Sequence, residues 1–451
     1  MLHSPLKNHK KLRILTLPQI VVIGYVGIIL FGSLLLSLPF SLKEGNLKYI
    51  DALFTSASAT CVTGLAVGNT FTTFTAFGQL IILLLIQVGG LGFMTISSAF
   101  YIMIGKRLAL RTKLDMQSDL NDDGGANRFK KIIKQIMIIA FSVELSGAII
   151  LTAALSKYYS FGKALSKGVF LAISAFCNAG FDLTESGLSL MPFNDDTAVL
   201  FTISALIIIG GIGFLVISDI LSRKRWSRFK LHTKVVILTT LILIFTGTLM
   251  FCIAEWNNSM QNMTAGQKIL NSFFTSVTAR TAGFFSVDPA RLNQPSLLFL
   301  MFLMFIGASP SSTGGGIKTT TLFVLLIASV SAIRCKNTVE IAKREINFKI
   351  ILKALATLVV GAVLIFVSIF LLTITDGAHF TQQQLLFEEV SAFATVGLSL
   401  GITGGLSVAG KIIIIFTMFI GRIGMLTFFM SLTHREIADS KIKFKEALIS
   451  I

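Results

Sequence analysis

The sequence predicts an all-α polytopic membrane protein built from four related units, each made of a helix, a re-entrant loop and a second helix. Three observations predict this class: the composition, the apolar runs, and a short glycine-containing motif that occurs four times. Of the 451 residues, 53% are hydrophobic and only 14% are charged, with a mean hydropathy of +0.80. Soluble globular proteins do not have this composition.

Eight apolar runs are each long enough to cross the hydrocarbon core of a bilayer, which takes about 20 residues. The first run follows a basic segment, but it is too long for a signal peptide and lacks a small-residue cleavage site, so we expect a retained helix. The sixth run is interrupted. The runs cover residues 18–40, 78–104, 132–155, 198–221, 232–254, 296–330, 352–375 and 408–432.

The positive charge is concentrated in alternate loops and at both ends of the chain. The net charge is +17, and 28 of the 39 lysines and arginines lie in residues 1–17, 105–134, 222–234, 333–353 and 433–451. The positive-inside rule assigns these segments to the cytoplasm, so both termini are predicted to be cytoplasmic. Topology and contacts with membrane lipid headgroups account for this charge, and no nucleic-acid partner is predicted.

The residue types needed for enzyme chemistry are not grouped in this sequence. The four cysteines form no CxxC motif and do not cluster with the five histidines, so free thiols are predicted. The sequence contains no P-loop, no HExxH and no dinucleotide fingerprint, and "STGGGIKTT" has the wrong spacing between glycine and lysine for a P-loop. A membrane enzyme is therefore disfavoured, and no cofactor is predicted in this chain.

The repeated motif ends in a glycine followed by a bulky apolar residue. Its four copies are "SATCVTGL" (58–65), "SAFCNAGF" (174–181), "VTARTAGF" (277–284) and "SAFATVGL" (391–398), with glycines 116, 103 and 114 residues apart. A second signature follows each glycine after 25, 30, 24 and 24 residues: "GGLGF" (89–93), "GGIGF" (210–214), Gly307 and "GRIGM" (421–425). The repetition predicts units at 18–112, 128–226, 230–335 and 345–432, between cytoplasmic segments 1–17 and 433–451.

A segment too short to cross the membrane precedes the motif, as in "YIDALFTSASA" (49–59). In two copies it begins with the spacing of a capping box, Thr264 with Gln267 and Thr381 with Gln384, which marks the start of a helix. We therefore expect half-length helices that start at the extracellular side and end near the middle of the membrane.

Irregular backbone at membrane depth is tolerated only inside protein or along a water-filled cavity. Four such loops favour a central pore in which backbone carbonyls replace the hydration shell of K+, and glycine supplies the necessary backbone freedom. This predicts four pseudo-fourfold helix–pore-loop–helix repeats, with eight transmembrane helices plus four re-entrant pore helices. The predicted K+-coordinating residues are Thr60, Cys61, Val62, Thr63, Gly64, Cys177, Asn178, Ala179, Gly180, Arg280, Thr281, Ala282, Gly283, Ala394, Thr395, Val396 and Gly397. For the glycines of the second signature, close helix packing is the favoured interpretation.

The motifs "TCVTGL", "FCNAGFD", "ARTAGF", "GASPSSTGGGIKTTT" and "GRIGM" resemble those of the Trk/Ktr/HKT superfamily of potassium transporters, in particular its KtrB-type ion-translocating subunits. The resemblance covers essentially the whole chain. It implies potassium uptake across the bacterial plasma membrane, and selectivity for K+ because Gly64 stands where relatives with serine favour Na+. Members of this family can also depend on Na+ for their transport activity.

The same resemblance implies a homodimer in which each protomer has its own pore. It also implies a separate cytoplasmic ring of RCK-type, KtrA-like subunits that bind ATP and ADP. The candidate docking surfaces for this ring are residues 105–131, 222–234 and the tail 433–451.

The second helix of the third unit should run through residues 307–321, where Pro310 and three consecutive glycines cannot sustain a regular helix. A bent or unwound loop is predicted, and the alternative is a passive kink. By resemblance this loop is an intramembrane gate, formed by Gly314, Gly315, Gly316, Lys318 and Arg422.

Charged residues inside apolar runs are expected to have partners or functions. A guanidinium on the ion axis would repel cations, so Arg280 is predicted to point away and to pair with backbone carbonyls or with Glu388 or Glu389. Arg422 is predicted to be functional. Glu144 is expected to pair with a hydroxyl or basic neighbour and to have no role in transport.

An alternating-access symporter for Na+ or a small solute is the main alternative, because carriers also combine repeats with broken helices. Each unit here contains two full spans, so the four units are parallel in the membrane. No paired intramembrane acids that could couple transport to protons occur around Glu144. These points favour the pore.

Overall fold

The structure is a computed structural model that describes residues 16–43, 47–92, 126–336, 338–342 and 344–432. The predicted cytoplasmic tail 433–451 lies outside the described residues, as do most of the N-terminal segment 1–17 and most of the candidate docking loop 105–131.

The described residues are mostly helical, and the predicted all-α membrane class is confirmed at this level. A short hairpin pairs β1 (Glu340–Ile341) with β2 (Arg344–Glu345) in antiparallel register. The helices in chain order are α1 (Leu17–Leu36), α2 (Tyr49–Thr60), α3 (Thr70–Thr73), α4 (Ala76–Leu91), α5 (Ala126–Leu155), α6 (Phe161–Cys177), α7 (Thr197–Ile212), α8 (Phe214–Arg223), α9 (Leu231–Glu255), α10 (Ala265–Thr278), α11 (Gln294–Phe305), α12 (Thr319–Ile333), α13 (Phe348–Asp376), α14 (Gln382–Ala394), α15 (Val408–Ile423) and α16 (Met425–Leu432).

Four helices of the described residues, α1, α5, α9 and α13, are single rods long and apolar enough to span a membrane. Their spanning parts contain 19, 22, 25 and 29 residues. Large apolar side chains on them are exposed, for example Ile253 on α9 at 70% and Phe366 on α13 at 73%. Such faces are suited to contact with lipid chains rather than with water.

The second helices of the second and fourth units are broken, which differs from the continuous spans expected at 198–221 and 408–432. In the first unit α4 ends at Leu91, and the expected run 78–104 lies outside the described residues from residue 93 onward. Helix α7 stops at Ile212 and α8 resumes at Phe214 at an angle of 94°. The last glycine of the second signature ends each of these helices, because Gly92, Gly213 and Gly424 have φ values of +77°, +99° and +88°. Only glycine adopts such angles readily, and it commonly ends helices. Hydropathy gave no sign of this, since the runs stay apolar across the break.

In the third unit, residues 306–318 separate α11 from α12 without helical structure. An isolated parallel bridge pairs Ile306 with Ile317 across this segment. Helix α12 begins at Thr319, inside the loop 307–321 expected from the sequence. We call residues 306–318 the intramembrane loop.

The four short helices α2, α6, α10 and α14 have 12, 17, 14 and 13 residues, fewer than a membrane span needs. Both predicted capping boxes are present. The Thr264 amide donates to Gln267 Oε1 at 2.9 Å, and the Thr381 amide donates to Gln384 Oε1 at 3.0 Å. The starts of these two helices were therefore predicted correctly from local sequence.

A buried ion pair joins the first unit to the last. Lys411 Nζ on α15 lies 2.7 Å from Asp51 Oδ1 on α2, and these side chains are only 8% and 13% exposed. Because the two residues are 360 positions apart, the pair connects the two ends of the described chain beside the start of a short helix. Truncating one partner of a buried pair leaves an uncompensated charge.

We expect Lys411→Met to lower the free energy of unfolding by about 3 kcal/mol, because Asp51 would stay buried without its partner. The exposed pair of Lys163 and Glu185, with side chains 64% and 51% exposed, provides the control. Lys163→Met should change stability by less than about 1 kcal/mol. Thermal unfolding in detergent measures both, and equal unfolding temperatures for the two variants would contradict the assignment.

Candidate functional site

The four glycine motifs share one unusual backbone conformation. The residue two positions before each glycine has positive φ: Val62 at 57°, Asn178 at 59°, Thr281 at 74° and Thr395 at 51°. The motif glycines Gly64, Gly180, Gly283 and Gly397 have φ values of 95°, 72°, 81° and 95°. Positive φ is rare for β-branched residues such as valine and threonine. Surrounding structure must impose it, as is common at functional sites.

In three of the units the short helix ends in the same turn. The amide just before the motif glycine donates to a serine carbonyl five residues earlier: Thr63 to Ser58 at 2.8 Å, Ala179 to Ser174 at 2.7 Å, and Val396 to Ser391 at 2.8 Å. This is the long hydrogen bond of a Schellman cap, in which the left-handed residue is normally glycine. The serine of the "SA" pair thus anchors the loop, a role that the sequence did not suggest.

The four motif glycines lie so close together that none could carry a side chain without a clash. A Cβ added to Gly64 would lie 2.5 Å from the Ala179 carbonyl oxygen, and one on Gly180 would lie 2.7 Å from the Ala282 oxygen. A Cβ on Gly283 would meet the Val396 oxygen, and one on Gly397 would meet the Thr63 oxygen. Each glycine therefore faces a carbonyl of the next unit, and the fourth faces the first. We call this closed circle the glycine ring.

The first glycine of the second signature packs on the end of the short helix in its own unit. A Cβ added to Gly89 would strike the Thr60 carbonyl, and one added to Gly210 would strike the Phe176 carbonyl. A Cβ added to Gly421 would likewise strike the Phe393 carbonyl. This geometry agrees with the packing interpretation. In the third unit, Gly307 instead meets the Gly315 carbonyl of the intramembrane loop.

The intramembrane loop lies against the glycine motif of its own unit, against that of the second unit, and against the break between α7 and α8. A Cβ on Gly314 would strike Thr281, and the Thr313 hydroxyl donates to the Phe176 carbonyl at 3.2 Å. Three backbone bonds hold its first half to the break: Ser309 N to Gly211 O at 3.0 Å, Thr313 N to Gly210 O at 3.2 Å, and Phe214 N to Ser311 O at 3.0 Å.

Two of the predicted gate residues are basic and both contact this loop. Arg422 Nη1 donates to the Thr313 carbonyl, while its Nη2 donates to the carbonyls of Gly89 and, at 3.4 Å, of Gly90. Lys318 Nζ donates to the Gly314 carbonyl at 2.7 Å. The arginine thus connects α15, the intramembrane loop and α4.

The expected pairing of Arg280 with Glu388 or Glu389 was wrong. Arg280 is buried and its Nε has no hydrogen-bond partner, and the described residues contain no ion pair between it and either glutamate. The Glu388 carboxylate instead accepts hydrogen bonds from Ser399, at 2.7 Å, and from Thr403. These hydroxyls follow the fourth motif closely in the chain, so local residues satisfy the carboxylate.

Glu144 has partners that differ from the hydroxyl or basic neighbour expected. Gln87 Nε2 on α4 donates to both carboxylate oxygens at 3.0 Å, and the Cys177 thiol lies 3.9 Å from Glu144 Oε1. Gln87 was not predicted from the sequence. It could have been noticed as a polar amide side chain inside an apolar run, two residues before Gly89. The predicted free thiols are confirmed, since all four cysteines are unpaired.

The apolar spans and the ring of glycine-bearing loops define a polytopic membrane protein. The family model TrkH, described as "Cation transport protein", matches residues 11–439. The chain therefore belongs to the TrkH family of cation transport proteins, and the predicted resemblance is confirmed.

Several relatives match nearly full length. The chain is 42% identical over 435 residues to Ktr system potassium uptake protein B of Bacillus subtilis, covering 96% of each chain. It is 38% identical to potassium/sodium uptake protein NtpJ of Enterococcus hirae, again covering 96% of each. Among solved structures, the potassium transporter TrkH from Vibrio parahaemolyticus matches with a TM-score of 0.75 at 18% identity, over 94% of this chain and 86% of that one. This last match shows a shared fold.

We expect Gly421→Ala to lower the free energy of unfolding by about 1 to 3 kcal/mol, because the added methyl group would strike the Phe393 carbonyl in a packed core. Gly27→Ala in α1 is the matched control, since nothing lies within 4 Å of its added Cβ. Thermal unfolding in detergent measures both variants. A Gly421→Ala protein as stable as Gly27→Ala would contradict the close packing.

Proposed function

We propose that this chain is the pore-forming subunit of a Ktr-type system that takes up potassium across the bacterial plasma membrane. The observation that carries the proposal is the glycine ring, in which each motif glycine faces a carbonyl of the next unit. The names of the relatives, which are potassium uptake proteins, support the choice of ion. The transported K+ is the cargo, and the proposal needs no cofactor in this chain.

In this proposal the ion passes along the axis of four pseudo-fourfold repeats and is coordinated by backbone carbonyls of the motif residues. Carbonyl dipoles replace the water that K+ loses on entry. The short helices α2, α6, α10 and α14 end at the ring, so the negative ends of their dipoles favour a cation there. Selectivity then depends on backbone position, which explains why the motifs contain small and hydroxylated residues rather than charged ones.

The intramembrane loop acts as the gate in this proposal. Gly314, Gly315 and Gly316 give it backbone freedom. Lys318 and Arg422 add positive charge beside the pathway, which opposes the passage of a cation while the loop is in place. Conduction therefore requires the loop to move.

Control comes from a separate cytoplasmic subunit. The relatives are named as parts of a Ktr system, which supports an assembly of several subunits. We propose a homodimer on a cytoplasmic RCK-type ring that binds ATP and ADP, with both termini of this chain in the cytoplasm, as the basic loops favour. Among the candidate docking surfaces, residues 222–234 are the one that the structure describes in full.

Gly64→Ser should reduce the preference for K+ over Na+ by about tenfold, or about 1.4 kcal/mol, because a side chain there displaces the Ala179 carbonyl. The measurement is flux of K+, Rb+, Na+ and Li+ into proteoliposomes. Gly27→Ser, which adds the same side chain to open space, should keep the native preference.

If Gly64→Ser keeps the native preference for K+ over Na+, the glycine ring does not select the ion. Uptake that requires the gradient of a second solute would instead support the symporter. Growth of a host deficient in K+ uptake at low K+ gives an independent readout of the native chain.

A further inference from the structure

One hydrogen bond connects the glycines of the intramembrane loop to a glycine motif. The Gly315 amide donates to the Thr395 hydroxyl at 3.1 Å, and both residues are buried. The contact is close, because a Cβ on Gly315 would collide with the Thr395 side chain. The two residues belong to different units, 80 positions apart.

The two halves of the loop are held differently. Residues 309–313 make three backbone hydrogen bonds to the break between α7 and α8, and Arg422 adds another at Thr313. Residues 314–316 are bonded to Lys318 of the same segment and, through Gly315, to Thr395. Within the described residues, the Thr395 hydroxyl is thus the hydrogen-bond partner that ties the three glycines to another unit.

The backbone at Thr395 does not need the hydroxyl. Val62 occupies the equivalent position of the first motif with φ of 57°, close to the 51° of Thr395. Valine, which has the shape of threonine without the hydroxyl, therefore fits this conformation. The hydroxyl is accounted for by its bond to Gly315.

We propose that the Thr395 hydroxyl is a latch that holds the glycines of the intramembrane loop in the position that blocks conduction, and so couples the fourth motif to the gate. The proposal rests on the proposed function. A buried amide without a partner is unfavourable, whereas an amide moved into a water-filled pathway is hydrated. Removing the hydroxyl therefore destabilises the blocked position relative to the open one and shifts the population toward conduction.

The test compares Thr395→Val, which removes the hydroxyl, with Thr395→Ser, which keeps it. K+ uptake is measured in proteoliposomes that contain the full chain without a regulatory partner. Thr395→Val should raise uptake about fivefold, the effect of losing one hydrogen bond, with an unchanged preference for K+ over Na+. Thr395→Ser, which keeps a hydroxyl, should raise uptake less than Thr395→Val does. Thr248→Val, whose hydroxyl bonds to the Ile244 carbonyl of its own helix, is the control for the same chemical change elsewhere.

Hydrogen–deuterium exchange at the Gly315 amide provides a second readout. In the native protein this amide should be protected, and Thr395→Val should speed its exchange while α9 stays unchanged. Rapid exchange of Gly315 in the native protein overturns the latch even if the valine variant does not fold.

Uptake by Thr395→Val that is equal to or below the native level overturns the latch. So does an increase accompanied by loss of the K+ preference, because that result indicates damage to the motif. If the native chain neither passes K+ in proteoliposomes nor supports growth of a K+-uptake-deficient host at low K+, the proposed function itself fails, and this outcome is separate from failure of the latch.

Discussion

Four glycines meet where no side chain fits, and the rest of the described structure is arranged around that meeting. Each motif glycine has positive φ and faces a carbonyl of the next unit. Close approach and backbone conformation therefore both require glycine at the same positions. In the proposed pore, backbone carbonyls of these motifs surround a cation and attract it with their negative ends. This constraint links the packing of the protein to its proposed cargo.

The other glycines serve the same arrangement. Gly89, Gly210 and Gly421 let the second helices approach the ends of the short helices at backbone distance. Gly92, Gly213 and Gly424 then end those helices. The serines that precede the motifs supply the carbonyls that fix the turns. The closely packed helices and the helix ends thus have the same effect, because both keep irregular backbone inside the protein.

Buried polar contacts hold the units in register, and they reach across long stretches of chain. Lys411 pairs with Asp51, Arg422 bridges the intramembrane loop to α4, and Thr395 bonds to Gly315. In an apolar surrounding such groups must find partners, so their positions are specific. The loop that interrupts the third unit is consequently bonded to the second and fourth units directly and to the first unit through Arg422. A movement of this loop would therefore change the contacts of several glycine motifs.

The sequence by itself determined the membrane class, the long first helices, the capped starts of α10 and α14 and the family. These follow from composition, local hydrogen bonding and repeated motifs, which act over short distances along the chain. Only the tertiary structure decided that Arg280 does not pair with Glu388, that Gln87 holds Glu144, and that the described second helices end at their last glycine. The pairings depend on distances between residues far apart in sequence, and the breaks depend on backbone angles that hydropathy does not record.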